Sequence, residues 1–300
     1  MQYQRFEALF DAALARAHAQ RQAEDTLRGY DESVGAAQAI LALHKALLNA
    51  RMRGGSAMWA EDNLVLRTLG GSRAYGLTTP HSDMDQRGVA LWPFDMLTGI
   101  VPGTETFTSH APVDVVVHTL GKVTRLALTA NPNIWEILFC REDAVLFQTE
   151  VGRDLRQHRE WFLSRRAAQS YAGYAAAQLA HMRNHNSEQG ARAERFHRYG
   201  YDTKNAMHLI RLLRMAREVL ADGAVHVYRP DREELLAIRH GAYTALEIQK
   251  MARDLNAACQ ALVPHSPLQS EPNTEAVHTW LLSIYRRWAQ DDPSLLAPLP

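Results

Sequence analysis

The chain has 300 residues, enough to bury a substantial core and to hold two domains. Its 33 basic and 33 acidic side chains cancel, so no net field draws it to nucleic acid or membrane, and any nucleic-acid contact must come from a local patch. Two cysteines, Cys140 and Cys259, far apart and without CxxC spacing, exclude a disulfide framework and a structural zinc site; the absence of a signal-peptide profile and of an apolar run near the ~20 residues that span a bilayer makes cytoplasmic residence the expectation.

Residues 3–52 carry helical periodicity, with Phe6, Leu9, Phe10, Ala13 and Leu14 on one face and Ile40, Leu41, Leu43, Leu47 and Leu48 on another. They read as an amino-terminal helical extension over 1–60, a packing or dimerisation element. Residues 61–150 alternate strand-like runs with turns, at Leu64–Leu69, Gly88–Leu91 and Asp114–Thr119, followed by a helix over Lys122–Thr129 that Asn131-Pro132-Asn133 interrupts. This is the expected catalytic α+β unit. From 151 to 300 the pattern is helical, over Val151–Gln157, Trp161–Met182, Asp202–Ala221, Arg232–Arg239, Tyr243–Leu262 and Thr274–Gln290, with Gly223, Gly241, Pro264 and Pro267 at the breaks.

The run Leu64–Leu69 delivers the chain into Gly70-Gly71-Ser72-Arg73-Ala74-Tyr75-Gly76-Leu77. Glycine in a tight turn takes φ > 0 and lets backbone approach a ligand, so Gly71, the Ser72 hydroxyl and nearby amides suit an anion such as a triphosphate. A counter-ion site follows in Ser82-Asp83-Met84-Asp85-Gln86-Arg87-Gly88-Val89. Asp83 and Asp85 are two apart in an extended segment, so both carboxylates reach one face, while Met84 and Gln86 point the other way. Two carboxylates side by side repel unless a cation sits between them, and hard oxygen ligands suit Mg²⁺ or Mn²⁺. Asp114, the only acid of the β-branched run Asp114–Thr119, supplies a third carboxylate from a separate strand, for a second ion and for deprotonating an attacking hydroxyl. Arg87 shares the face of the acids and has two readings, orienting a carboxylate or holding a phosphate. Arg73 either touches the γ-phosphate or pairs with an acid such as Asp95. Tyr75 either stacks on the nucleotide or packs as a turn tyrosine.

On the helix from Asp202, Lys204, His208, Arg211 and Met215 fall within an arc of roughly 60° at about 100° per residue, opposite Ala206, Leu209, Leu213, Ala216 and Leu220. One side is core and the other a basic stripe, which is either solvated or aimed at the charge of a leaving pyrophosphate. Just upstream, Arg183, His185, Arg192, Arg195, His197 and Arg198 interleave with Phe196, Tyr199 and Tyr201, diluted by Glu188, Glu194 and Asp202. That composition fits single-stranded RNA, where guanidinium groups hold phosphates and rings stack on bases, or else a solvated interhelical loop.

The order GS, SDxD and a lone later Asp resembles the DNA polymerase β nucleotidyltransferase superfamily. More narrowly, GSRAYGL, SDMDQRGV, the Asp114 strand, Thr119–Val123 through Asn131-Pro132-Asn133, and Gly200-Tyr201-Asp202-Thr203-Lys204 through Leu212 are similar to the RNA-repair members called RlaP, over roughly residues 60–250. The resemblance implies an α+β fold, a minimal polymerase-β-type palm with a small mixed sheet, joined to a C-terminal helical bundle. It implies Mg²⁺ dependence with two ions on Asp83, Asp85 and Asp114, and an NTP donor held by Gly71, Ser72, Arg73, Arg87, Lys204, His208 and Arg211. It also implies an RNA 3′ end as acceptor. Transfer to a small molecule or a protein side chain, and a non-catalytic nucleotide-binding module, are the alternatives.

Overall fold

A computed structural model describes residues 60–80, 82–93, 104–110, 113–183, 190–290 and 292–299. The helical extension read in residues 3–52 lies outside the described residues.

Strand β1 (Leu64–Leu69) runs over the full expected stretch and stops at Gly70, after which the short helix α1 (Gly71–Tyr75) begins. Strand β2 (Asp85–Ala90) starts three residues before the expected Gly88, so that Asp85 belongs to the strand itself. Strands β3 (Thr106–Ser109), β4 (Asp114–Thr119) and β5 (Val145–Gln148) complete a five-stranded sheet in the order β3-β4-β2-β1-β5. All pairings are antiparallel except β2 with β4.

Register decides which side chains share a face, because directly paired residues project to the same side. Asp85, Arg87 and Val89 of β2 pair with Asp114, Val116 and His118 of β4. Thr68 and Leu66 of β1 pair with Arg87 and Val89. This face therefore passes from acids and arginine at one end to Leu66 and Val89 at the other, which join the main core. On the reverse face Leu64, Ala90 and Val117 form a small second cluster with Ala60.

Helix α2 (Leu120–Leu128) is capped by the Thr119 hydroxyl, which accepts from the Lys122 amide. Ala130, with φ of 55°, and Asn131 turn the chain, and Pro132 then opens helix α3 (Pro132–Phe139) at its first position. Proline there starts a helix, since its missing N–H is one of the amides without an intrahelical partner. Helix α4 (Glu150–Gln157) crosses β1 so closely that a Cβ on Gly152 would lie 2.1 Å from the Val65 carbonyl oxygen. Helices α5 (Ala167–Arg183), α6 (Ala191–Tyr199), α7 (Thr203–Asp222), α8 (Arg232–Arg239), α9 (Ala245–Leu262) and α10 (Thr274–Ala289) follow. The segment Trp161–Met182 is not one helix: Arg159–Phe162 is a 3₁₀ turn, and α5 begins at Ala167.

One continuous core joins sheet and helices. It runs from Val65, Leu66 and Val89 through Trp135 and Leu138 of α3 to Tyr171 of α5 and Leu209, Leu213 and Ala216 of α7. Trp135 fastens α3 to α2 by donating its indole N–H to the Ala127 carbonyl at 3.1 Å, and its ring meets that of Tyr171 at 5.8 Å. Among the described residues no helix is long and apolar enough to cross a membrane.

Candidate active site

The parallel pairing of β2 with β4 puts Asp85 directly opposite Asp114, at the same end of both strands. The Asp114 amide donates to the Met84 carbonyl at 3.1 Å, which continues the ladder past the strand ends. Both carboxylates are partly exposed and each has one positively charged or ionisable neighbour. The Arg87 guanidinium donates to Asp85 at 3.3 Å, and His110 Nδ1 lies 3.0 Å from an Asp114 oxygen. Asp83 is exposed on the segment just before β2. The structure thus brings Asp85 and Asp114 together and leaves Asp83 on the adjoining loop. Among the described residues no three His, Cys, Asp or Glu side chains are gathered as a ready-made metal centre. The carboxylate pair nevertheless has the hard oxygen chemistry, the partial exposure and the shared face that a divalent cation requires.

Asp85 also reaches the glycine–serine turn. The Gly70 amide donates to the Asp85 carbonyl at 2.9 Å, and a Cβ on Gly71 would fall 2.2 Å from the Asp85 carboxylate. Gly71 sits at φ of 57°, so the missing side chain serves two ends, the left-handed backbone and the close approach of the acid. Ser72 is half-buried and Arg73 is exposed beside it. Asp95, weighed as a partner for Arg73, lies outside the described residues.

The turn rests on a residue that the motif reading misses. Glu136, the one acid of the largely apolar α3, is 4% exposed and accepts the Gly71 amide at 2.7 Å. The Gly71 N–H is therefore engaged from beneath. By helix geometry the amides of Ser72 and Arg73 likewise have no acceptor within their own short helix, and they are the ones left for an anion. Burial raises the Glu136 carboxyl above its ordinary range, opposed by Arg211, by the Gly71 bond, by Arg87 and by the Tyr75 hydroxyl. Gly70 makes room for this contact, since a Cβ there would meet Arg87 at 2.8 Å and Glu136 at 3.0 Å. The available signal was the lone acid within Pro132–Phe139, because a carboxylate on an apolar helix is buried only where it is partnered.

Tyr75 packs in the core and does not face a ligand. Its ring is covered by the Arg211 guanidinium at 3.5 Å from the centroid. That contact shows where the basic stripe of α7 points. Arg211 is 8% exposed and Met215 fully buried, so the stripe is not a solvated face; its inner end is pressed against the turn and its outer end, Lys204, is exposed. Half-buried His208 lies between them, and burial followed by the charges of Arg211, Lys204, Arg239 and Arg195 keeps it neutral well below the usual histidine range.

The upstream aromatic patch has a different use. Phe196 and Tyr201 are buried, and Tyr199 packs against Gly241, where a Cβ would touch its ring at 2.2 Å. Arg195 and Arg192 bind the buried Asp202 at 2.8 and 3.4 Å, while Asp202 caps α7 by accepting the Lys204 amide. Phe196 and Tyr201 are thus taken up by packing and not offered to unpaired bases, while Tyr199 stays half-buried against Gly241 with the Arg198 guanidinium 5.2 Å from its ring centroid. His185 and Glu188 lie outside the described residues, and nothing is described of the Arg183 side chain.

The sequence matches the family described as RlaP, RNA repair pathway DNA polymerase beta family, over residues 53–283. No curated protein matches it. Among solved structures, it is similar to a nucleotidyltransferase-like protein from Exiguobacterium sibiricum 255-15, at 16% identity over 80% of each chain with a TM-score of 0.27, a likeness that carries no argument.

Proposed function

The chain belongs to the RlaP family, the DNA polymerase β family of an RNA repair pathway, and is a nucleotidyltransferase; from that membership we propose that it moves a nucleoside monophosphate from an NTP to the 3′ hydroxyl of an RNA. The observation that carries the chemistry is the register pair Asp85 and Asp114 beside the Gly71–Ser72 turn. In the reaction the acceptor oxygen bonds to the α-phosphorus, the bond from that phosphorus to the bridging oxygen breaks, and pyrophosphate leaves. Asp114 is suited to take the hydroxyl proton, since its carboxylate is partly open to the solvent side of the strand ends. The Ser72 hydroxyl and the amides of Ser72 and Arg73 are suited to the β and γ phosphates, and Arg87 orients Asp85. From the helical side, Lys204 and Arg211 are suited to offset charge on the departing pyrophosphate, and the neutral His208 between them to donate a hydrogen bond to it. Asp83, Asp85 and Asp114 would hold Mg²⁺ or Mn²⁺, which lowers the pKa of an acceptor hydroxyl and neutralises phosphate charge.

The test is incubation of the purified chain with Mg²⁺ or Mn²⁺, each α-labelled NTP in turn and RNA or DNA oligonucleotides. Label on RNA is expected, with a fall of at least about 100-fold in Asp85→Ala and in Asp114→Ala. Label on the protein itself supports the self-modifying reading, and no label on any acceptor supports a nucleotide-binding module.

A further inference from the structure

Around the first half of α7 cations outnumber the acids that pair with them. Lys204 and Arg211 recur on one side of that helix, with the neutral His208 between them. Arg195 of α6 is tied to Asp202 at the start of α7, and Gly241 abuts Tyr199 at the end of α6, which brings Arg239 at the end of α8 into the same neighbourhood. Arg239 is half-buried, and its guanidinium is pushed down by burial and by Arg195, with Asp202 alone acting in compensation. Asp202 is already committed: it accepts from the amides of Lys204 and Asn205, from the Asn205 side chain, and from Arg195 through both oxygens. No ion pair holds Lys204 or Arg239 among the described residues. Deeper along the stripe, Arg211 is 8% exposed and its Nε has no hydrogen-bond partner. The Glu136 carboxylate acts on Arg211 but already accepts the Gly71 amide; a half-buried cation with no carboxylate of its own, as Arg239 is, is costly unless an anion is supplied from outside.

We propose that Arg239, Lys204 and His208, backed by Arg195 and leading inward to Arg211, form a phosphate-binding subsite distinct from the glycine–serine turn, which takes a chain of phosphates. It rests on the transfer reading only for the source of those phosphates, the backbone of the acceptor strand or the triphosphate of the nucleotide. Lys204 and Arg211 are seven residues apart, about 10 Å along the helix, so the stripe reaches from the protein surface to the ring of Tyr75 beneath the turn.

Binding is measured on the full chain by fluorescence anisotropy of a labelled single-stranded oligoribonucleotide over a salt series, with inorganic tripolyphosphate as a second probe. Arg239→Gln and Lys204→Gln are expected to weaken binding about tenfold each, and to reduce the magnitude of the log–log salt slope for RNA by about 0.7 each. Arg217→Gln, nine residues on from His208 and so about 180° away around the same helix, is expected to bind as the unsubstituted protein does. Loss confined to RNA supports the subsite and assigns it to the acceptor strand; loss of both probes supports it and assigns it to the triphosphate. The melting temperature of Arg239→Gln is expected not to fall, since the substitution relieves repulsion. Unchanged affinity and slope in both variants, or no binding of either probe by the unsubstituted protein, would overturn the proposal. Failure of label transfer with polyanion binding intact would count against the transfer reading alone.

Discussion

Glu136 concentrates several constraints in one side chain. It is buried, it accepts the amide of a glycine in the left-handed region, and it lies between the charges of Arg211 and Arg87. Glu136→Gln keeps an acceptor for the Gly71 amide and removes the charge that balances Arg211; Glu136→Ala removes both. The alanine variant is expected to lose about 2–3 kcal/mol of stability in denaturant unfolding, and the glutamine variant less. Both are expected to lower kcat for transfer more than they raise KM, because the turn is misplaced relative to Asp85. A histidine on the same sheet face gives a pH prediction. His118, bonded to the Thr106 hydroxyl at 2.9 Å, is pushed down to about 4 by burial, with Lys122 and Arg87 adding to the effect. A base depressed in the folded state costs stability as the unfolded chain takes up protons. The loss therefore begins as pH falls through about 6.5 and is complete below about 4, reaching about 2 kcal/mol after allowance for partial exposure. His118→Gln is expected to flatten that part of the stability–pH curve.

At the level of elements, two glycines carry close approaches that no other residue permits. Gly71→Ala would place a methyl against the Asp85 carboxylate in a left-handed backbone, and about 1–3 kcal/mol of destabilisation with loss of transfer is expected. Gly152→Ala drives α4 away from β1 and is expected to cost about 2 kcal/mol or more without a change in the pH profile of the activity. Arg229 supplies a third connection. Fully buried, it is bound by Glu218 of α7 at 2.7 Å and by Asp231 at 2.8 Å, while its own amide donates to the Tyr75 carbonyl. Arg229→Ala leaves half-buried Glu218 without this partner and Asp231 with Arg214 at 2.7 Å, and is expected to cost about 3 kcal/mol in chemical denaturation. Much of this layer could be read from residue patterns. β1, β4 and α8 fall on the expected residues because turn and cap residues bound them: Gly70 after β1, the helix-capping Thr119 at the end of β4, and Gly241 just past α8. β3 and β5 could not, since four residues are too few for alternation to register, and in β3 three of the four carry hydroxyls. Pro132 was read as a break and instead begins a helix, a distinction that depends on the cap at Asn131.

For the molecule as a whole, the order of chemical groups along the sequence was more informative than their surroundings. The acids of the site stand out in sequence because DxD spacing projects onto one face and a lone Asp marks a later strand, and the register of β2 with β4 sets two of them side by side. The direction of the basic stripe could not be read, because helical periodicity shows that Lys204, His208 and Arg211 share a side but not which neighbour that side meets. Contact between Arg211 and Tyr75 answers this, and it joins the helical half of the chain to the turn through a continuous core. The rings of Phe196 and Tyr201 misled for the same reason: composition alone does not separate a stacking surface from the packing of neighbouring segments at the start of α7.

The central claim is that the carboxylates at the head of β2 and β4 act jointly on a divalent cation. Mn²⁺ binding followed by electron paramagnetic resonance, with and without NTP, tests it without depending on the acceptor. The account predicts bound Mn²⁺ that tightens with NTP in the unsubstituted chain and is lost in Asp85→Asn and Asp114→Asn, with unfolding temperatures unchanged. Equal Mn²⁺ binding in all three proteins would contradict it.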